Sequence, residues 1–115
     1  MLEAYRRQCA FCRFRHEEML DAAHIIPDSN PDGEPQVRNG LALCTLHHAA
    51  FDRYFVGVRP DLVLEVRPDL LKEVDGPTLV GIQSLHGKRI DVPAANDKRP
   101  DRALLEARYK LFLSA

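Results

Sequence analysis

Two residue pairs, Cys9-x-x-Cys12 and Cys44-x-x-His47, constrain this chain more than any other feature. Two intervening residues let neighbouring side chains turn onto one tetrahedral ion, so the fold is expected to bring both segments to a common point. Thiolates and an imidazole suit the soft-to-borderline preference of zinc, and four protein ligands leave no open coordination position. The role expected of such a Cys3His zinc is structural. Three small buried cysteines without metal would account for the residue types, but not for their paired spacing.

The remaining composition narrows the class. Three cysteines cannot all pair, and no apolar leader precedes the first charges, so the expected setting is reduced and cytoplasmic. No apolar run approaches the roughly 20 residues of a membrane span, so the protein is read as soluble. A length of 115 residues fits one domain, 1–115, with a metal-bearing core at about 9–55 and an extension over 56–115. A net charge of -1 argues against a general phosphate-binding surface, so any nucleic-acid contact has to be local. Short basic clusters occur at Arg6–Arg7, Arg13–Arg15, Lys88–Arg89 and Lys98–Arg99–Arg102, and each alone reads as solvated surface.

The first eight residues read as a short helix or strand leading into Cys9. The β-branched end of L-D-A-A-H-I-I predicts a strand stopped by Pro27, with His24 near its end. Residues 28–36 are turn chemistry, read as a loop over the site. Thr45 to Tyr54 predicts a helix with Thr45 as N-cap and Leu46, Ala49, Ala50 and Phe51 on its packed face. V-R-P-D-L occurs at 58–62 and 66–70, read as two similar turns around a strand-like L-V-L-E-V. Lys88 to Val92 reads as a further strand, and Asp101 to Leu113 as a closing helix packed through Leu104, Leu105, Tyr109 and Phe112. His16 and His86 are taken as surface or turn residues.

Helix geometry separates His47 from His48. Adjacent helical residues point about 100° apart, so the two cannot easily serve one ion. Asp52 follows His48 by four residues and shares its face; Phe51 follows His47 by four and belongs in a core. His47 is therefore assigned to the zinc, and His48 with Asp52 to a second site able to share a hard cation.

A histidine leaving a strand (His24), an asparagine in the next loop (Asn39) and a histidine on the following helix (His48), interleaved with two knuckles, resemble an HNH (ββα-metal) endonuclease over residues 9–52. H-A-A-F-D-R at 48–53, D-G-P-T-L at 75–79 and H-G-K-R-I at 86–90 resemble HNH domains of Mcr-type modification-dependent restriction enzymes. The resemblance implies an α+β fold: a ββα-metal core stapled by the Cys3His zinc, with extra strands and a C-terminal helix. It implies metal-dependent hydrolysis of DNA, leaving 5′-phosphate and 3′-hydroxyl ends. His24 would be the general base, Asn39 would fix that imidazole or the loop carrying it, and His48 would hold one divalent ion such as Mg²⁺ or Mn²⁺.

The chain departs from the family pattern twice. His47 stands where the second knuckle usually has cysteine, and Ala23 stands where many relatives carry a second metal ligand before the base. Asp52 is the first choice to replace that ligand and Asp21 the second. Taken singly, His24 could be a strand-end histidine, Asn39 part of an Asn-Gly turn, and Asp52 a partner of Arg53. A non-catalytic zinc-bound module for DNA or protein is the alternative function, and a phage or homing nuclease a rival use of the same chemistry. Target choice, including any preference for modified DNA, is expected to need a separate recognition domain or partner.

Overall fold

Strand β1 (Leu20–His24) pairs antiparallel with β2 (Gly40–Cys44), Leu20 lying opposite Cys44 and His24 opposite Gly40. Helix α1 (Thr45–Asp52) follows β2 directly and packs on both strands. These coordinates are a computed structural model describing residues 1–27 and 37–115; the loop read over the site, 28–36, lies outside the described residues. The result is a ββα unit whose second strand is buried along its whole length.

Two features of α1 differ from the sequence expectation. Cys44, with extended φ and ψ of -68° and 161°, is the N-cap, and Thr45 is already helical. The Thr45 hydroxyl donates instead to the Met19 carbonyl at 3.3 Å. The inward face is His47, Ala50 and Phe51, while Leu46 and Ala49 are exposed. Turning His47 toward the cysteines brings in its neighbours at i+3 and i+4 and sends residues 46 and 49 outward.

A hairpin of β3 (Val56–Val58) and β4 (Leu64–Val66) extends the core beyond α1. The first V-R-P-D-L forms its connection, closed by a Leu62 N–H to Arg59 carbonyl bond of 2.8 Å with Leu62 at φ 72°. The second does not repeat that turn: Arg67 becomes the N-cap of α2 (Pro68–Leu71), with proline in the first turn. Each copy keeps an arginine–aspartate pair at 2.6 Å, so local chemistry is shared. The surroundings differ, since Arg67 also lies 4.4 Å above the Phe55 ring and its N–H binds the Phe55 carbonyl.

Helix α3 (Pro77–Gln83) follows, and had no counterpart in the hydrophobic pattern. Lys88 to Val92 is not a strand: it makes an isolated bridge, Val63 with Arg89, before Asp91 turns away to donate its N–H to Ala10 at 2.8 Å. The Asp91 carboxylate also accepts from Gln8 and Arg6, bonds that hold it below the usual carboxylate range despite its burial. The first knuckle is thus tied to the C-terminal half.

Helix α4 (Arg102–Ser114) is capped by Asp101, whose carboxylate accepts the Ala103 N–H at 2.8 Å. It packs on β3 through Leu105 and Phe112, and a Cβ at Gly57 would fall 2.5 Å from the Phe112 ring. At the other end of the chain, buried Tyr5 donates to the Gly40 carbonyl at 3.0 Å, and burial raises its pKa. Among the described residues no helix is long and apolar enough to cross a membrane.

Candidate metal centres

The chain's two knuckles meet at the junction of β2 and α1. One donor atom from each of Cys9, Cys12, Cys44 and His47 lies within 4.8 Å of all the others. Cys12 Sγ is 3.8 Å from Cys44 Sγ, and His47 Nδ1 lies 3.8 Å from Cys9 Sγ and 3.4 Å from Cys44 Sγ. Zinc–sulfur bonds of about 2.3 Å would set tetrahedral ligands about 3.8 Å apart, so the donors fit that ion in number, softness and spacing.

The surroundings prepare the ligands. His47 Nε2 lies 3.0 Å from the Gly81 carbonyl of α3, to which it can only donate, leaving the Nδ1 lone pair for the sulfurs. The Phe11 N–H donates to Cys9 Sγ at 3.4 Å. Hydrogen bonds from Cys12 and Cys44 hold the Cys9 thiol below its ordinary value despite burial. Cys12 is pushed up by its bonds to Cys44 and Cys9 and by burial. Burial works against a charged His47, yet the Cys44 and Cys9 sulfurs and the Gly81 carbonyl raise it to about 10. Electrostatically, the pocket between the sulfurs favours a cation.

One residue further along α1, His48 points elsewhere. Its Nδ1 lies 2.9 Å from an Asp21 carboxylate oxygen on β1, and its Nε2 lies 3.1 Å from an Asp52 oxygen one helical turn on. Asp52 pairs with this ring and forms no ion pair with Arg53 among the described residues. All three side chains are half-buried or exposed and line an open cleft with Thr45, Arg53 and Phe55. One imidazole and two carboxylates are harder groups than the zinc cluster's, but the carboxylates lie on opposite ring nitrogens, so the three do not surround one point, and the Cys3His cluster is the group among the described residues whose donors do.

His24 and Asn39 occupy the rim of β1. His24 is the exposed last residue of the strand, and strand alternation puts it on the face opposite Asp21 and Ala23. Ala23 is fully buried. Asn39 does not bond the His24 ring: its side chain accepts from the Ile26 N–H and donates to the Ile26 carbonyl, each at 3.0 Å. With the Ile25 N–H to Asn39 carbonyl bond of 2.9 Å, this clamps the chain just after His24. His16 is exposed and stacks near Phe14, and His86 Nδ1 accepts the Val66 N–H at 3.1 Å.

Sequence patterning missed Arg108. It is buried on α4, donates to the Phe51 carbonyl at 2.7 Å and the Ile25 carbonyl at 3.4 Å, and lies 4.3 and 4.5 Å from the ring centroids of Phe51 and Tyr54. Burial lowers its pKa. This guanidinium bridges the residue after His24 and the residue before Asp52. An arginine at an inward helical position was the available clue, because burying it requires waiting acceptors.

Residues 9–59 match a family model described as HNH endonuclease. No curated protein matches the chain. Among solved structures, a modification-dependent TagI restriction endonuclease shares the fold, with TM-score 0.61 and 16% identity. The match covers 96% of this chain and 35% of that one.

Proposed function

We propose, from the match of residues 9–59 to the HNH endonuclease family model, that the chain is a metal-dependent endonuclease hydrolysing DNA phosphodiester bonds. The observation that carries the reading is His48 held between Asp21 and Asp52, with His24 at the end of the strand that supplies Asp21. His48 Nε2 and Asp52 would hold the catalytic divalent cation, and Asp21 would orient the ring through Nδ1. When bound, such a cation neutralises phosphate charge and stabilises the departing 3′ oxygen.

His24 takes the proton of the attacking water. In-line displacement needs nucleophile and leaving group on opposite sides of phosphorus. Asn39 holds the strand exit, and so the base, by its two bonds to Ile26. Cys9, Cys12, Cys44 and His47 hold a structural zinc that sets the start of α1 and with it His48. The products carry 5′-phosphate and 3′-hydroxyl ends.

Residues 1–115 act as one domain in this reading, since Asp91 and Arg108 join the C-terminal half to both centres. Restriction of modified DNA is the biological role that the TagI likeness suggests, with target recognition by a separate domain or partner. Buried Ala23, lacking any ligand, favours the second reading, a zinc-bound DNA- or protein-binding module without hydrolysis. The deciding experiment is plasmid nicking with Mg²⁺, Mn²⁺ or Ni²⁺, on methylated and unmethylated DNA, beside His24→Ala. Metal-dependent nicking that His24→Ala abolishes supports the enzyme. Plasmid retention without cleavage under every metal supports the module.

A further inference from the structure

A second concavity of about 780 Å³ lies over the zinc cluster, lined by Cys12, Cys44 and His47, and Thr45 lines both it and the His48 cleft. Its volume falls within the roughly 300–1,000 Å³ of small-ligand sites. Phe14, Met19 and Leu46 contribute exposed apolar surface, 37%, 50% and 39% accessible. Arg13, Lys88 and Arg89 supply three cations, and among the described residues no aspartate or glutamate lines it. Among the described residues none of these cations forms a salt bridge, whereas Arg6, Arg59 and Arg67 do. A zinc with three thiolates would add one negative charge at the floor, which leaves the balance positive. The pairing of an apolar, aromatic floor with a cationic rim is unusual for a chain whose net charge is -1.

We propose that this groove is a nucleotide subsite for the DNA strand flanking the cleaved bond. One unstacked base lies on Phe14, Met19 and Leu46, and its phosphates meet Arg13, Lys88 and Arg89. The proposal rests on DNA being the substrate. Aromatic and apolar side chains accept the face of any base, and flanking cations track the backbone. The shared Thr45 makes the groove adjoin the cleft assigned to the scissile phosphate, which favours a strand over an acidic peptide.

The test is fluorescence anisotropy of a labelled ten-residue oligothymidylate on the whole chain, across a salt series and with no added divalent cation. Phe14→Ala should weaken binding about 5- to 100-fold, the range for losing one base–aromatic stack. Lys88→Gln with Arg89→Gln should lower the slope of log affinity against log salt by about 1.4, two contacts at roughly 0.7 each. Circular dichroism confirms that each variant is folded. Parent-like affinity and slope in both variants would overturn the proposal, as would Phe14-dependent binding of a glutamate-rich peptide by a protein that ignores the oligonucleotide. Phe14-dependent oligonucleotide binding without plasmid cleavage keeps the subsite and rejects the nuclease; cleavage without any groove dependence does the reverse.

Discussion

His47 and His48 are neighbours on α1, yet His47 is buried among three sulfurs, its outer nitrogen tied to a carbonyl, while His48 stands half-exposed between two carboxylates. The first centre has four soft-to-borderline donors from two segments of chain and a backbone shell around them. The second is one imidazole with a carboxylate on each ring nitrogen and an open side. Donor count and burial therefore divide the labour: a closed four-ligand set suits holding the fold, and an open set leaves room for a phosphate. One turn of helix serves both because successive side chains diverge by about 100°.

The contrast predicts that damage at the first centre appears as lost stability and damage at the second as lost activity. The largest effect is expected from the zinc. Metal analysis should find one zinc per chain, and chelation or Cys44→Ser should lower stability by several kcal/mol, read as a fall in melting temperature. A folded, zinc-free Cys44→Ser protein with unchanged melting would erase the distinction.

Next comes His24→Ala, expected to cut the cleavage rate by about 10²- to 10⁴-fold. Because His24 is exposed, melting temperature should stay within about 1 °C of the parent, a small change on the scale of surface substitutions. Full activity at neutral pH would move the base role to another residue.

Asp52→Asn should weaken affinity for Mn²⁺ by about 10- to 100-fold and leave zinc content intact, with Asp21→Asn doing less. Calorimetric titration reads both. Anomalous density from a Mn²⁺-soaked crystal, bound by His48 and Asp21 with Asp52 turned away, would exchange the two carboxylates.

The smallest effect sharpens the boundary between the centres. Arg108→Lys keeps the charge but loses the planar fork across two carbonyls, and should cost about 1–2 kcal/mol in chemical denaturation. Unchanged stability would mean that α4 does not hold the ends of β1 and α1 in place.

Much of the ββα unit is legible in the sequence, because its helix and its knuckles follow short-range rules, although β1 ends at His24, three residues before the Pro27 stop that the pattern offers. The extension was harder to read. V-R-P-D-L has one local chemistry and two outcomes, a hairpin connection and the start of α2, decided by contacts such as Arg67 on Phe55. The strand expected at Lys88–Val92 contracts to a bridge because Asp91 leaves the hairpin for Ala10, far away in sequence. Helix α3 has little periodicity of its own, and includes the glycine whose carbonyl receives His47.

By itself the sequence determined the two paired ligand spacings, the closing helix, and the divergence of His47 from His48, since all depend on geometry within a few residues of backbone. Only the tertiary structure decided that Asp21, 27 residues from His48, meets its Nδ1, that Asn39 clamps Ile26 rather than the His24 ring, and that Arg108 joins the ends of β1 and α1. Those contacts depend on strand register and on how α4 docks. Local periodicity records which face of an element is buried, but not which atoms of distant segments that burial brings together.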